Sequence, residues 1–346
     1  VIDFTRLLPG PLATNLLAQL GARVIKVEHP QRGDYARTQP PFVGNESTLF
    51  GALNFAKEVR QTDFRSEAGR AEVLELIRSA DVVVEQFRPG VMAAWGLGYE
   101  EARAVNERII YLSLSGYGQD GPYRDLAGHD LNYLAYSGIL SLTRDREGRP
   151  VIPGVQIADI AGGAYMTLSA CLTALLQRER SGRGARVDVA MLDGLLPLLT
   201  LPATQLWGGF DPYQANFLSG ALVNYNVYEC ADGKWVALGA LEMKFWKNFC
   251  ALVGRPDWER GHQLELTVQA FPKAELEALF RSKTQAEWLA LAEGKDVCLS
   301  PVRTLDEVEA DPQVRHRGGI TAFETAQGNR LKGFGVPFKI QTNTKS

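Results

Sequence analysis

Two short stretches combine side chains that can move protons. One is Gly128-His129-Asp130-Leu131-Asn132-Tyr133, which holds one of only four histidines in the 346-residue chain. The other is Ile157-Ala158-Asp159-Ile160, followed by a long apolar pattern. Each places its acidic residue immediately before a helical periodicity. On pattern alone Asp130 and Asp159 therefore read as helix N-caps and His129 as a structural neighbour. That reading is compatible with chemistry. A carboxylate at a helix N-terminus lies beside backbone N–H groups that have no intrahelical acceptor, and such groups can stabilise a developing oxyanion. A third motif, Gly116-Tyr117-Gly118-Gln119-Asp120-Gly121, matches G-x-G-x-x-G after a predicted strand. A dinucleotide site needs a helix to open at once. Pro122 and the following YRDLAGHD do not open one, so the stretch reads as a glycine loop leaving a strand.

The elements that must position these residues alternate between strand and helix. Val1–Thr5 and Arg23–Glu28 read as strands. Between them, Pro11 starts a helix with Leu12, Leu16, Leu17 and Leu20 on one face, and Gly21 ends it. A helix from Ser66 to Ala80 precedes the strand DVVVEQF at 81–87, and RIIYLSLS at 108–115 follows. Such alternation predicts parallel β-α-β units with strands covered on both faces. Gly162–Arg180 reads as one long helix and Arg186–Leu192 as a strand. Past 197, PATQLWGGFDPYQANFLSG reads as a wrapping connection. Tyr225–Cys230 and Lys234–Ala240 then flank Asp232-Gly233, a hairpin signal, with helices at 242–253, 273–282 and 284–293 and a strand at 297–302. The expected architecture is α/β: a Rossmann-like, doubly wound large domain over 1–196 with a return of 315–346, a linker over 197–219, and a small α+β domain over 220–314.

Composition narrows the function. Lys plus Arg number 37 against 40 Asp plus Glu, for a net charge of −3, so nucleic acid and acidic membrane surfaces are not expected partners. Gly, Pro, Thr or charge interrupts each apolar run, and no membrane span is expected. The four cysteines, Cys171, Cys230, Cys250 and Cys298, contain no C-x-x-C pair. Neither a metal site nor a disulfide framework is expected, and a reducing cytoplasm suits free thiols.

VIDFTRLLPGPLATNLLAQLGARVIKVEHPQRGDYAR, DVVVEQFRPGVMAAWGLGYE, IIYLSLSGYGQDGPY and RERSGRGARVDVAMLDG, in that order, resemble the blocks of the class III coenzyme A transferase (CaiB/BaiF) family. GHDLNYLAYSGIL and GKDVCLSPV most resemble its α-methylacyl-CoA racemase branch. The resemblance implies that His129 and Asp159 are the two bases and that Glu242 pairs with the histidine. It also implies that Arg37, Lys57, Arg88 and the GHDLNY turn (Gly128, Asp130, Tyr133) hold the CoA part of an acyl-CoA substrate, with no other cofactor. Two-base chemistry at the α-carbon of a thioester removes a proton on one face and returns one on the other. In transferases of the family, Asp159 would instead match the nucleophile that carries CoA as a thioester. A transferase needs no second base, so His129 with Glu242 ranks the racemase first and CoA transfer second. The resemblance further implies an interlocked homodimer, with Glu242 reaching His129 of the other subunit. One departure stands out at Lys57. The family's N-x-G-K-R-S is here Asn54-Phe-Ala-Lys57-Glu-Val, and the strand that follows is more polar.

Overall fold

In a computed structural model, residues 1–145, 147–213, 217–260, 263–325 and 327–341 are described. Six strands form one sheet: β1 (Ile2–Asp3), β2 (Ile25–Glu28), β3 (Glu58–Gln61), β4 (Val82–Glu85), β5 (Ile110–Ser115) and β6 (Ala185–Ala190). They lie in the order β3-β2-β1-β4-β5-β6 and every pair is parallel. This is the doubly wound order, with its switch point between β1 and β4, where ligands bind at the carboxyl ends of the strands. Ile2 sits opposite both Ile25 and Val83 in register.

Burial on both faces explains the uninterrupted VVV of β4. Val82 and Val84 join Ile110, Leu112 and Leu114 under Leu16 and Leu17 of helix α1 (Pro9–Gln19). Val83 points the other way, toward Val73 and Ile77 of helix α2 (Glu67–Arg78). Burying each such side chain contributes about 1.5–3 kcal/mol. Ser66 caps α2 by accepting the Gly69 N–H at 3.0 Å. A left-handed Gly21 (φ +100°) turns the chain after α1.

Two sequence expectations change. Asp130 and Asp159 are not N-caps. His129 caps helix α3 (Asp130–Ser137), and Asp130 is its first residue. Asp159 lies in the first turn of a π-helical segment, Ala158–Tyr165, which runs into helix α4 (Met166–Ser181). Together Ala158–Ser181 make 24 residues, long and apolar enough to cross a membrane by length and composition, contrary to the expectation that no segment is. Its apolarity has a local cause, since Leu168, Cys171 and Ala174 pack into the sheet core.

The chain divides into two compact units, Val1–Leu199 with Pro312–Ser346, and Thr200–Asp311. The stretch read as a plain connection contains a helix, Thr200–Trp207. Pro202 does not break it because the proline lies in the first turn, where its missing N–H has no partner to lose. Residues 214–216 of that stretch lie outside the described residues. In the first unit a C-terminal hairpin (Ile320–Glu324 with Arg330–Phe334) is antiparallel, and Phe323 stacks on Phe55 at 4.3 Å. The second unit builds a three-stranded antiparallel sheet from β7 (Tyr225–Glu229), β8 (Trp235–Gly239) and β9 (Leu299–Pro301). Gly233 adopts φ +74° in the hairpin turn. Tyr228, Val236, Leu238, Trp246, Phe249, Phe280 and Trp288 fill its core, and the indole N–H of Trp246 reaches the Trp258 carbonyl at 2.8 Å.

Candidate active site

The glycine loop after β5 does not open a helix. Gly118 and Gly121 are left-handed (φ +93° and +82°), and the chain turns until α3 begins at Asp130. The loop instead makes room for Tyr133. A Cβ on Gly116 would lie 2.4 Å from the Tyr133 ring, and one on Gly128 would lie 2.7 Å from it, so no side chain fits at either position. The buried Tyr133 hydroxyl donates to the Gly128 carbonyl at 2.8 Å and closes the turn that presents His129. The His129 N–H donates to Asn132 Oδ1 at 3.0 Å, which fixes the first turn of α3, while the imidazole stays exposed.

Glycines also hold the wide turn bearing Asp159. A Cβ on Gly162 would meet the Met191 carbonyl at 2.5 Å, one on Gly163 would meet Pro9 at 2.9 Å, and one on Gly194 would meet the Gly162 carbonyl at 2.4 Å. The π-turn is thus wedged between the start of α1 and the helix Met191–Leu195. Wide i→i+5 turns of this kind often mark functional sites.

The two elements meet through Asp130. Its Oδ1 accepts the Asp159 N–H at 3.0 Å. Burial raises the Asp159 carboxyl to about 6, and the Asp130 charge pushes the same way against the opposing pull of His129. A carboxyl titrating near 6 is still mostly ionised at neutral pH and is a stronger base than an ordinary aspartate. Burial also pushes the Tyr133 phenol up to about 12. Tyr117, Asp159 and Asp130 add to the rise, and Arg88 opposes it. Arg88 is exposed just beyond the carboxyl end of β4, at the switch point. His129, Asp130, Tyr133, Asp159 and Arg88 therefore share one electrostatic neighbourhood. The Asp159 and Ile160 N–H groups are already bonded, to Asp130 and to the Gln156 carbonyl. The oxyanion donors expected beside Asp159 are therefore not free, whereas the first N–H groups of α3, at Asp130 and Leu131, have no intrahelical acceptor.

Arg37 and Lys57 have other partners. The Arg37 guanidinium forms a fork with Glu28 at 2.8 and 3.0 Å and lies 3.7 Å over the Phe50 ring. Lys57 is fully buried. Its three N–H bonds go to Asp3 Oδ2 (2.9 Å), the Pro11 carbonyl (2.9 Å) and Asn54 Oδ1 (2.8 Å). An ammonium has three donors and no more, so in this structure all three of Lys57 are engaged within the protein. Burial pushes the Asp3 carboxyl up, but Lys57 and Lys26, with Thr5 and Thr14, outweigh it and hold the group at about 2. Glu242 belongs to the second unit, where it is exposed at the N-cap of helix α5 (Met243–Leu252), and its charge acts on the Cys298 thiol.

An aromatic group around Tyr133 was not foreseen. Tyr117 packs edge-on against Tyr133, Tyr123 and Tyr136 at 5.1, 5.8 and 5.6 Å. The i,i+3 spacing of Tyr133 and Tyr136 on one helix face was the available signal. Among the described residues no group of three or more His, Cys, Asp or Glu is placed to hold a metal ion.

A doubly wound sheet with an acid–base cluster at the switch point fits an enzyme that handles a large anionic substrate, and comparison with known proteins makes that specific. The model of CoA-transferase family III matches residues 1–346, and the chain belongs to that family. It is 34% identical to human succinyl-CoA:glutarate CoA-transferase over 94% of this chain and 75% of that one. It is 35% identical to human alpha-methylacyl-CoA racemase over 94% of this chain and 82% of that one. The crystal structure of a CAIB/BAIF family protein from Brucella suis superposes with a TM-score of 0.83 at 30% identity, covering 98% of this chain and 90% of that chain.

Proposed function

We propose that this enzyme racemises 2-methylacyl-CoA thioesters by two-base proton transfer. The observation that carries the reading is the joining of His129 and Asp159 through Asp130, since two proton-carrying groups on separate elements are what inversion at one carbon requires. Asp159 takes the α-proton on one face and His129 returns one on the other, or the reverse. Each positioned group contributes roughly 10²–10⁴-fold. The enolate oxygen is placed at the free N–H groups that open α3. Arg88 and the exposed edge of Arg37 serve the phosphates of CoA, Gly128, Asp130 and Tyr133 line the thioester arm, and Glu242 of the partner subunit orients His129. The CoA is part of the substrate, and no further cofactor enters.

Incubation with a 2-methylacyl-CoA in D₂O, followed by NMR, tests this. Loss of the α-proton signal with scrambling of the stereocentre is expected. Protein that binds CoA without exchange would refute the reading.

CoA transfer between carboxylic acids is the second reading, favoured by relatives named for that reaction at similar identity. In it the Asp159 carboxylate attacks the donor thioester and thiolate leaves. The resulting anhydride is reopened by that thiolate at the aspartyl carbon, giving enzyme-bound thioester and free acid. Hydroxylamine trapping after addition of an acyl-CoA, with the label on Asp159, would favour transfer.

The working unit in this proposal is a homodimer. Its support is apolar surface without a partner in one chain. Tyr165, Leu172 and Leu176 lie exposed at helical spacing, and the helix Thr200–Trp207 exposes Leu201, Leu206 and Trp207. Sedimentation equilibrium is expected to give twice the chain mass at micromolar concentration, and a monomer there contradicts the assignment.

A further inference from the structure

We infer that Asp130 is a positioning residue that holds Asp159 in place through its backbone and sets, by its own charge, the pH range over which Asp159 acts. The role goes beyond lining a thioester arm. The Asp130 side chain is directed to the N–H of Asp159, 29 residues away in sequence, at 3.0 Å. It is the first residue of α3 and directly follows His129. One carboxylate thus ties the element presenting the imidazole to the π-turn presenting the second base. A negative charge beside a half-buried carboxyl disfavours ionisation of that carboxyl, and Asp130 acts on Asp159 in that sense while His129 opposes it.

Among the described residues no other packed element supplies a comparable charge. Helix α1 carries no ionisable side chain, and the charged residues of α4 (Arg178, Glu179, Arg180) stand at its far end. Asp193, on Met191–Leu195, acts with Arg186 on Asp188 of β6. Tyr133 faces Asp159 from α3, with Arg88 opposing on the phenol. The local balance at Asp159 is therefore set from α3, by His129 and Asp130.

The inference deepens the proposed function and rests on it only for its consequence in turnover. In Asp130→Asn the side-chain oxygen still accepts the Asp159 N–H, but the charge is gone. The titration midpoint of Asp159, followed by ¹³C NMR of carboxyl-labelled aspartate without substrate and assigned with Asp159→Asn, is expected to fall by roughly one unit. The acid limb of the α-proton exchange rate is expected to move down with it. A folded D130N protein with an unchanged Asp159 midpoint, or an acid limb that stays put, overturns the inference. If D130N does not fold, Asp130→Ser decides in the same way, since its hydroxyl can still accept the Asp159 N–H while the charge is gone, and an unchanged Asp159 midpoint there overturns the inference equally. The titrations need no catalysis. Absence of exchange in the wild type would therefore sink the racemase reading and leave the Asp130–Asp159 coupling to stand or fall separately.

Discussion

In His129→Asn and Asp159→Asn, inversion of a 2-methylacyl-CoA is expected to fall by roughly 10²–10⁴-fold, yet each variant should still wash deuterium into one enantiomer. The asymmetry follows from geometry. His129 caps α3 while Asp159 belongs to the π-turn, and in the proposed mechanism they address opposite faces of one planar enolate. Removing either base leaves the other able to lift the proton on its own side and return a deuteron there with retention. The two variants should therefore exchange opposite enantiomers. Washout confined to the same enantiomer in both would show that one base serves alone. The pair also separates the two chemistries. In a transferase, Asp159→Asn abolishes activity because the nucleophile is lost, whereas His129→Asn leaves transfer largely intact. Because Asp159 must be ionised to act as base, exchange through it is expected to decline as pH falls through about 6.

Lys57→Met is expected to destabilise the fold by about 3–5 kcal/mol in urea unfolding, with little effect on CoA affinity once the protein is folded. Lys57 and Asp3 are both fully buried and lie 2.9 Å apart. Removing the ammonium takes from buried Asp3 its direct ionic partner and leaves Lys26, Thr5 and Thr14 to face the carboxylate. A phosphate ligand would behave in the opposite way, with weaker CoA binding and near-normal stability. The same network predicts an acid limb of stability. The Asp3 carboxyl is depressed from its ordinary 3.8 to about 2. Its contribution is thus fully present above about pH 4 and is lost as pH falls through 2. An unchanged urea midpoint in Lys57→Met would return this lysine to the candidate ligands.

The alternation of strands and helices was legible because strands covered on both faces need unbroken apolar runs, as Val82–Val84 and Ile109–Leu112 show. The helix read from Ser66 and the Asp232-Gly233 pair between β7 and β8 carried local signals strong enough to place a helix start and a turn. What stayed hidden depended on partners far along the chain. The π-turn at Asp159 is held by Pro9, Met191 and Gly194, and nothing in IADIAGG alone announces an i→i+5 pattern. The cap at α3 fell one residue early because Asp130 turns its carboxylate to Asp159 and the cap position passes to His129. Lys57 sits among polar neighbours, Glu58, Arg60 and Gln61, that read as surface. Those neighbours are exposed, and only the three-dimensional path of the chain shows that the lysine before them points inward.

The wide turn around Asp159 owes its place to close approaches at Gly162, Gly163 and Gly194, against the Met191 and Gly162 carbonyls and the Pro9 ring, none of which needs a side chain that meets the substrate. Evolution could therefore rewrite the opposite wall of the site without moving this carboxylate. Gain of an imidazole at position 129 would turn a nucleophile into one of a pair of bases, and its loss would reverse the change. Two reaction classes then need only one scaffold, with a backbone shape holding the carboxylate and a single cap residue deciding what it does.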